Sequence, residues 1–522
     1  MKKHVARTLT VIVAGALALR AGGPSAQVPA RPDWPLAFAS PDARLADAFA
    51  WAKRQATDYV FEGDRVGDWY EAALPGREAF CMRDVSHQAM GAHALGLQRH
   101  TRTMLRRFAE NITDARDWCS LWEIDRHNQP AHADYRNDND FWYNLPANFD
   151  VLDASYRMFL WTGDPEYVGD PVFLQFYQRT VTDYVERWGL GPDTIMKRPR
   201  LMNRRGQADP DAKFTEARGI PGYNEETTDF VVGLDLLATQ YAGYAAYARI
   251  QEARGDLGSA RLWLKKAAEV KAFVNRAWWD EKTNAFFDRL TTDYRLAPRS
   301  NSFWNIAELY WPVAADGPHA KAAVTRLVEQ IKRSPSAPVE EQSHHAEVLY
   351  RYGVPEVAYQ QMLDLARDNR SRREYPEVSF SIIGAIVTGL MGVSVDPVAP
   401  GREEELLDYF AGRFVMTLPQ LTGQTAWAEL RHLPVRGNDI SVRHEGQAAS
   451  VFTNNRGPAV VWRAAFPGAF DTLVVNGDPV KARRETRPVD HVVSWVRVVV
   501  GAGNSARVEV PRAAPLQRAT RR

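Results

Sequence analysis

The chain has 522 residues, 45% of them hydrophobic and 25% charged, with a formal net charge of +1. That is ordinary globular material with room for a large core and more than one domain. The balanced, scattered charge excludes a nucleic-acid footprint, and a total of two cysteines, Cys81 and Cys119, excludes both a disulfide scaffold and a zinc-type ligand spacing.

Taken in chain order, residues 1–26 read as a secretory signal: a basic start, an apolar stretch from Leu9 to Leu19, then small residues up to Ala26. The apolar stretch is too short to span a bilayer, so the expected location is periplasmic or extracellular, with no stable membrane insertion. In that oxidising setting Cys81 and Cys119 are free to pair.

From 31 to 411 the pattern is helical and repetitive, with apolar-periodic runs separated by loops rich in Gly, Pro, Asp and Asn. The periodicity predicts helices near 42–61, 84–111, 146–162, 171–188, 225–254, 258–279, 301–314, 318–333, 343–352, 355–368, 377–391 and 402–411. No fixed short repeat recurs, and long irregular loops precede alternate helices. Both features suit an (α/α)6 toroid of helical hairpins with a site at one mouth better than a solenoid. After Pro400, short alternating runs such as "ISVRHEG" and "HVVSWVRVVV" predict a C-terminal antiparallel β-sandwich over 413–512. Its charged residues alternate with apolar ones, so it is expected to support the barrel rather than do chemistry. The tail, 513–522, is expected to be disordered.

Polar groups gather at four loop-to-helix junctions. In "GREAFCMRDVSHQAMGAHALG", Arg83 and Asp84 precede an Ala/Gly-rich helix built for close packing; the plain alternative is that Asp84 is an N-cap. The stretch "SLWEIDRHNQPAHADYRNDNDFWYNLPANFD" holds Trp122, Glu123, Asp140, Trp142 and Tyr143, more large aromatics than a solvated loop usually carries. In "PGYNEETTDF", Glu225 and Glu226 stand before an apolar run from Phe230 to Ile250, with Asn224 as a natural N-cap. Acids at a helix start favour the dipole, but a helix apolar on every face is buried, and carboxylates at its end are then kept for a reason. Late in the helical region, Glu340 and Glu341 open a polar helix and Glu377 opens an apolar one. His344 and His345 read as surface or cap residues rather than metal ligands, and no metal or cofactor is expected.

Carboxylates brought by separate loops to an aromatic-walled mouth are what glycoside hydrolysis requires. One protonated acid serves the leaving oxygen; a second, ionised carboxylate activates water or attacks the sugar. No phosphate-binding glycine loop, nucleophile elbow or dinucleotide fingerprint competes. The expected partner is an oligosaccharide or glycoside.

Four stretches carry a family resemblance. "FCMRDVSHQ", "NEETTDFVVGLDLLATQYAGYAAYARIQEARGD", "EVSFSIIGAIVTGLMGVSVDP" and the β-domain that follows resemble, in this order, strips of the bacterial six-hairpin glycosidases with an (α/α)6 barrel, the group of glucoamylases, trehalases and α-L-rhamnosidases. The resemblance implies that Glu225 is the general acid, that Glu226 and Asp84 contact sugar, and that a carboxylate near Glu377 is the base, with Glu341 and Glu374 as alternatives. Arg83, Trp122, Glu123, Asp140, Trp142, Tyr143 and Glu341 complete the expected substrate-binding set. Thr227, Thr228 and Asp229 stand where the glucoamylase strip has glycine and serine. Electrostatics add two expectations: burial raises the Glu225 pKa, and Arg83 keeps Asp84 ionised. Inversion is expected, because the two carboxyls come from different hairpins. The rivals are a polysaccharide lyase using His132, Tyr135, Arg136 and Asn139, and a non-catalytic glycan-binding protein, which would leave Glu225 and Glu377 apart or exposed.

Overall fold

The computed structural model describes residues 35–199, 219–225, 229–299, 306–334, 339–395 and 414–511. The expected signal 1–26, the helix 402–411, the tail 513–522 and Glu226 lie outside these residues.

The helices run α1 (Ala43–Asp58), α2 (Met82–Ala94), α3 (Gln98–Glu110), α4 (Ala147–Thr162), α5 (Glu166–Gly169), α6 (Pro171–Val181), α7 (Asp183–Arg187), α8 (Leu234–Ala253), α9 (Leu257–Ala277), α10 (Ala307–Tyr310), α11 (Pro318–Arg333), α12 (Val339–Arg351), α13 (Pro355–Ala366) and α14 (Pro376–Gly384). The 318–333 helix lies where its periodicity puts it. The 84–111 stretch is two helices, because Gly96 adopts φ +86° and turns the chain between α2 and α3. The 377–391 stretch begins as α14 and continues as a π-helix, Ala385–Leu390.

The largest correction concerns the glutamate pair. The buried helix starts at Leu234, not at Glu225, and Phe230–Gly233 is a strand paired antiparallel with Arg289–Thr291. Val231 and Val232 are β-branched and suit a pleated surface, and Gly233 is the N-cap in place of Asn224. The acid in the first turn is Asp235, whose carboxylate accepts the N–H groups of Tyr223 and Leu236. Asp235 thereby ties the loop bearing Glu225 to the helix start.

Successive helices pack as hairpins, α2 with α3, α4 with α6, α8 with α9, α10 with α11, and α12 with α13, while α1 packs on α14. One helix of each pair also touches its counterpart in the next: α2 meets α4, α4 meets α8, α8 meets α10, α10 meets α12, α12 meets α14, and α14 meets α2. Small residues permit the closest approaches, as expected for the Ala/Gly-rich α2. A Cβ on Gly91 would sit 2.1 Å from the Phe380 carbonyl oxygen, so nothing larger than glycine lets α2 and α14 meet there.

The C-terminal strands form two sheets. Ala37–Ala39, Trp427–Val435, Asn438–Glu445, Ala449–Arg456, Ser505–Glu509, Thr472–Val475 and Asp478–Lys481 make one; Phe414–Thr417, Val460–Pro467, Val492–Val500 and Arg483–Thr486 make the other. Phe452 of the first stacks on Trp462 of the second, with ring centroids 5.3 Å apart, as in a sandwich core. Strand Ala37–Ala39 comes from the opposite end of the chain, Phe38 pairing with Leu430.

Candidate active site

A cavity of about 170 Å³ opens at the N-terminal ends of α2, α12 and α14. Backbone pairing builds its floor: Ala79–Cys81 pairs with Glu123–Asp125, placing Cys81 opposite Glu123, and the Met82 N–H donates to the Trp122 carbonyl. Trp122 and Glu123 are thereby held against the start of α2, which carries Arg83, Asp84 and Gln88 into the cavity. The loop before it is shaped by Glu71, which accepts the N–H groups of Arg77 and Glu78 and so presents Arg77.

Glu225 reaches the cavity from the 219–225 loop. That loop is pinned by backbone bonds from Leu145 to Ile220 and from Ile220 to Tyr143, and by the Tyr223 hydroxyl, which donates to Asp150 at 3.0 Å. The Glu225 carboxylate accepts from Asn144 Nδ2 at 3.3 Å and lies 3.4 Å from Arg83 Nη1. Burial pushes its pKa up to about 7, against the pull of Arg83 and Asn144. The side chain is still 20% exposed, so it is both desolvated and reachable.

Glu377 enters on the second residue of α14, behind Pro376, whose ring suits the first helical position. Burial, reinforced by Asp84 and Glu340, raises its pKa well above the ordinary carboxylate value, with Arg83 and Arg372 opposing. Both carboxyls are thus raised by burial, Glu377 with two acidic neighbours adding to the effect and Glu225 with Arg83 and Asn144 pulling against it. Asp84 differs from expectation. It accepts from Cys81 Sγ at 2.6 Å and lies 3.6 Å from Arg83 Nε, yet burial outweighs that cation and raises its pKa. Cys81 is the N-cap, so Asp84 is not. Both cysteines are buried free thiols.

A third acidic corner was only half legible. Burial, with Asp134 beside it, pushes Glu123 up to about 10, so Glu123 holds its proton. Arg77 Nη2 clamps them, 3.4 Å from Glu123 and 3.3 Å from Asp134. The Arg83 guanidinium lies over the rings of Trp122 and Tyr223, 5.9 and 5.6 Å from their centroids.

Of the expected residues, the cavity lining holds Arg83, Asp84, Trp122, Glu123, Glu225 and Glu377. Four lie elsewhere. Tyr143 is buried beneath the floor, where its hydroxyl accepts the Ser120 N–H, and Trp142 is buried beside it. Asp140 pairs with Arg136 on a hairpin, 3.2 Å apart. Glu341 turns away to Gln330 and His345, and its neighbour Glu340 takes the cavity position, since adjacent helical residues point about 100° apart. Sequence reasoning missed Arg77, Gln88, Asp134 and Tyr375. His344 and His345 are buried rather than superficial; the His344 ring meets His87 edge-on at 4.6 Å. None of His132, Tyr135, Arg136 and Asn139, the lyase set, lines the cavity. Among the described residues no group of three His, Cys, Asp or Glu side chains is arranged to hold a metal, and no helix is long and apolar enough to cross a membrane.

No protein-family model matches the chain, and no curated protein matches it in sequence. Solved structures do share its fold. An α-L-rhamnosidase from Dictyoglumus thermophilum superposes with a TM-score of 0.56 at 12% identity, over 91% of this chain and 50% of that one. A family 78 rhamnosidase from Bacillus sp. GL1 gives 0.53 at 14%, over 80% and 40%. An α-L-rhamnosidase from Aspergillus terreus gives 0.52 at 12%, over 90% and 50%. The chain spans about half the length of these structures or less. At such identities the likeness is one of fold: a six-hairpin glycosidase-like helical region followed by a β-domain.

Proposed function

We propose that the protein is an exported glycoside hydrolase that cleaves terminal glycosidic bonds with inversion, using Glu225 and Glu377 as its acid–base pair. One observation carries the reading: two carboxyls from different elements, both shifted upward, line one aromatic-floored cavity with Arg83 between them. A non-catalytic binder would have no need of two acids whose burial costs stability. The pairwise contacts from α2 round to α14 and back to α2 support a closed (α/α)6 toroid with the cavity at its mouth. The solved rhamnosidases of the same fold support a carbohydrate substrate.

The roles follow from the proton each group holds. Glu377, kept protonated by burial and by Asp84 and Glu340, donates to the leaving oxygen. Glu225, poised at about 7 beside Arg83, is ionised often enough at neutral pH to take a proton from the attacking water. Asp84 and Trp122 hold the sugar. The carboxyls come from different elements rather than sharing one loop, an arrangement that suits inversion, in which a water stands between them.

The test is a screen of aryl glycosides of rhamnose, glucose, mannose and glucuronic acid, with the first-formed anomer followed by nuclear magnetic resonance. Glu377→Gln should spare substrates with activated leaving groups and abolish turnover of poor ones. Glu225→Gln should impair both alike and be partly rescued by azide, giving a glycosyl azide of inverted configuration. A retained anomer overturns inversion, and the opposite rescue pattern exchanges the roles. Unsaturated products absorbing in the ultraviolet would replace hydrolysis with elimination.

A further inference from the structure

Six carboxylates line the cavity, Asp84, Glu123, Asp134, Glu225, Glu340 and Glu377, and among the described lining residues only two cations face them. Both cations are committed. Arg83 is drawn to Asp84, Glu225 and Glu377, and Arg77 is clamped between Glu123 and Asp134. Arg372, just outside, donates to Glu340. Part of the remaining negative charge is suppressed by protons instead, held by Glu123 and by Glu377. A ligand anion would therefore meet no spare positive charge and several acids held neutral only by the cost of ionising them.

A second observation points to what does fit. Gln88 and Glu377 both line the cavity and are only 2% and 7% exposed, yet Oε1 of each accepts no hydrogen bond. Buried acceptors left in this state favour an occupant that brings donors. Sugar hydroxyls and a protonated sugar amine both do so; a carboxylate or sulfate brings only acceptors.

Building on the glycosidase reading, we propose that the cavity selects a donor-rich glycosyl unit without negative charge and rejects acidic sugars, with the Arg77-clamped Glu123–Asp134 corner and Gln88 reading the ring's donors. Like charges brought together without compensation cost several kcal/mol, which corresponds to about 100-fold or more in affinity.

The experiment uses the whole protein and matched pairs that differ only in charge. The 4-nitrophenyl glucoside and glucuronide, and the galactoside and galacturonide, in both anomers, are compared for turnover; glucose, glucosamine and glucuronate, and galactose and galacturonate, are compared for binding by calorimetry. In every pair that gives a signal, the neutral or amino member should exceed the acidic one by about 100-fold or more. Glu123→Gln/Asp134→Asn, which removes both carboxyls of the corner and leaves Arg77 without them, should narrow that gap. An acidic member handled as well as its neutral partner overturns the proposal, and so does failure of every non-anionic sugar to bind, or an unchanged gap in Glu123→Gln/Asp134→Asn. Neutral sugars that bind without any glycoside being cleaved would instead remove the hydrolase reading and leave the selectivity standing.

Discussion

The two ends of the same inner helices are built on opposite plans. At the C-terminal end the β-sandwich satisfies the carbonyls that a helix leaves without partners. Arg436 donates to the Leu160 carbonyl at 2.9 Å and, through its backbone, to that of Trp161 at 2.7 Å, Gln420 donates to Gly389 at 2.9 Å, and His444 donates to Met391 at 3.0 Å, while His93 Nε2 of α2 in turn donates to the Pro434 carbonyl of the sandwich at 2.8 Å. At the N-terminal end, about 20 Å away along α2, acids are crowded, their pKa values are raised, and buried oxygens accept nothing. No residue of 414–511 lines the cavity. The difference separates groups that hold the fold from groups the fold holds at a cost, and a cost retained in one cavity is what the proposed chemistry requires.

The strongest way to break this contrast is to neutralise the acids. Glu377→Gln, on glycosides with poor leaving groups, and Glu225→Gln, on either kind, should lower kcat/KM by about 10²–10⁴, while thermal melts of both at pH 8 show equal or greater stability. The sign follows from the direction of the shift. Glu225 titrates at about 7 in the folded chain against an ordinary 4.5, so the fold binds that proton more tightly than the unfolded chain does. Its contribution is favourable below 4.5 and is lost as pH rises towards 7, a loss glutamine does not suffer. Glutamine variants that melt lower at pH 8 would make these acids structural.

Gly91→Ala should act next, because it alters what joins the two plans. Its Cβ would lie 2.1 Å from the Phe380 carbonyl and force α2 from α14, and with it Arg83 and Asp84 from Glu377. The expected cost is about 1–3 kcal/mol of stability, with kcat reduced even at temperatures where circular dichroism shows a folded protein. Full activity in a folded Gly91→Ala would mean that the spacing of these helices does not set the site.

How much of this was legible in the sequence depends on whether a residue's surroundings are local. Glu377 was readable, because Pro376 and the apolar run after it define a buried helix start within a few residues. Glu225 was readable as a candidate, and it does line the cavity, but for a mistaken reason: Val231, Val232 and Gly233 break the apolar run into strand and helix, and Asp235 occupies the first turn assigned to the glutamates. Glu340 and Glu341 differ only in helical phase, which composition does not fix until the partner helix is known. Arg77 and Asp134 meet Glu123 through loops 46 and 11 residues away in sequence, and no periodicity reports such a meeting. The order of a helical region followed by a β-domain was visible because it rests on a change of period, from helical spacing to alternation, after Pro400.

The smallest effect belongs to the satisfied end. Arg436→Ala removes the guanidinium bond to the Leu160 carbonyl and should cost about 1–2 kcal/mol in denaturant unfolding, with kcat unchanged in the folded protein. A loss of kcat as large as that from the cavity variants would erase the distinction between the two ends.

The central claim, that Glu225 is the ionised partner and Glu377 the protonated one, is tested most directly by the pH dependence of kcat/KM on an aryl glycoside that the protein cleaves. Arg83 and Asn144 favour ionised Glu225, while burial, Asp84 and Asp134 oppose it, leaving it at about 7. As the base it must lose its proton, so activity should rise through about pH 7 and hold on the alkaline side until Glu377, raised well above the usual range, ionises. Glu225→Gln should abolish that rising limb. A profile that falls through pH 7 in the wild type would contradict the account and make Glu225 the acid.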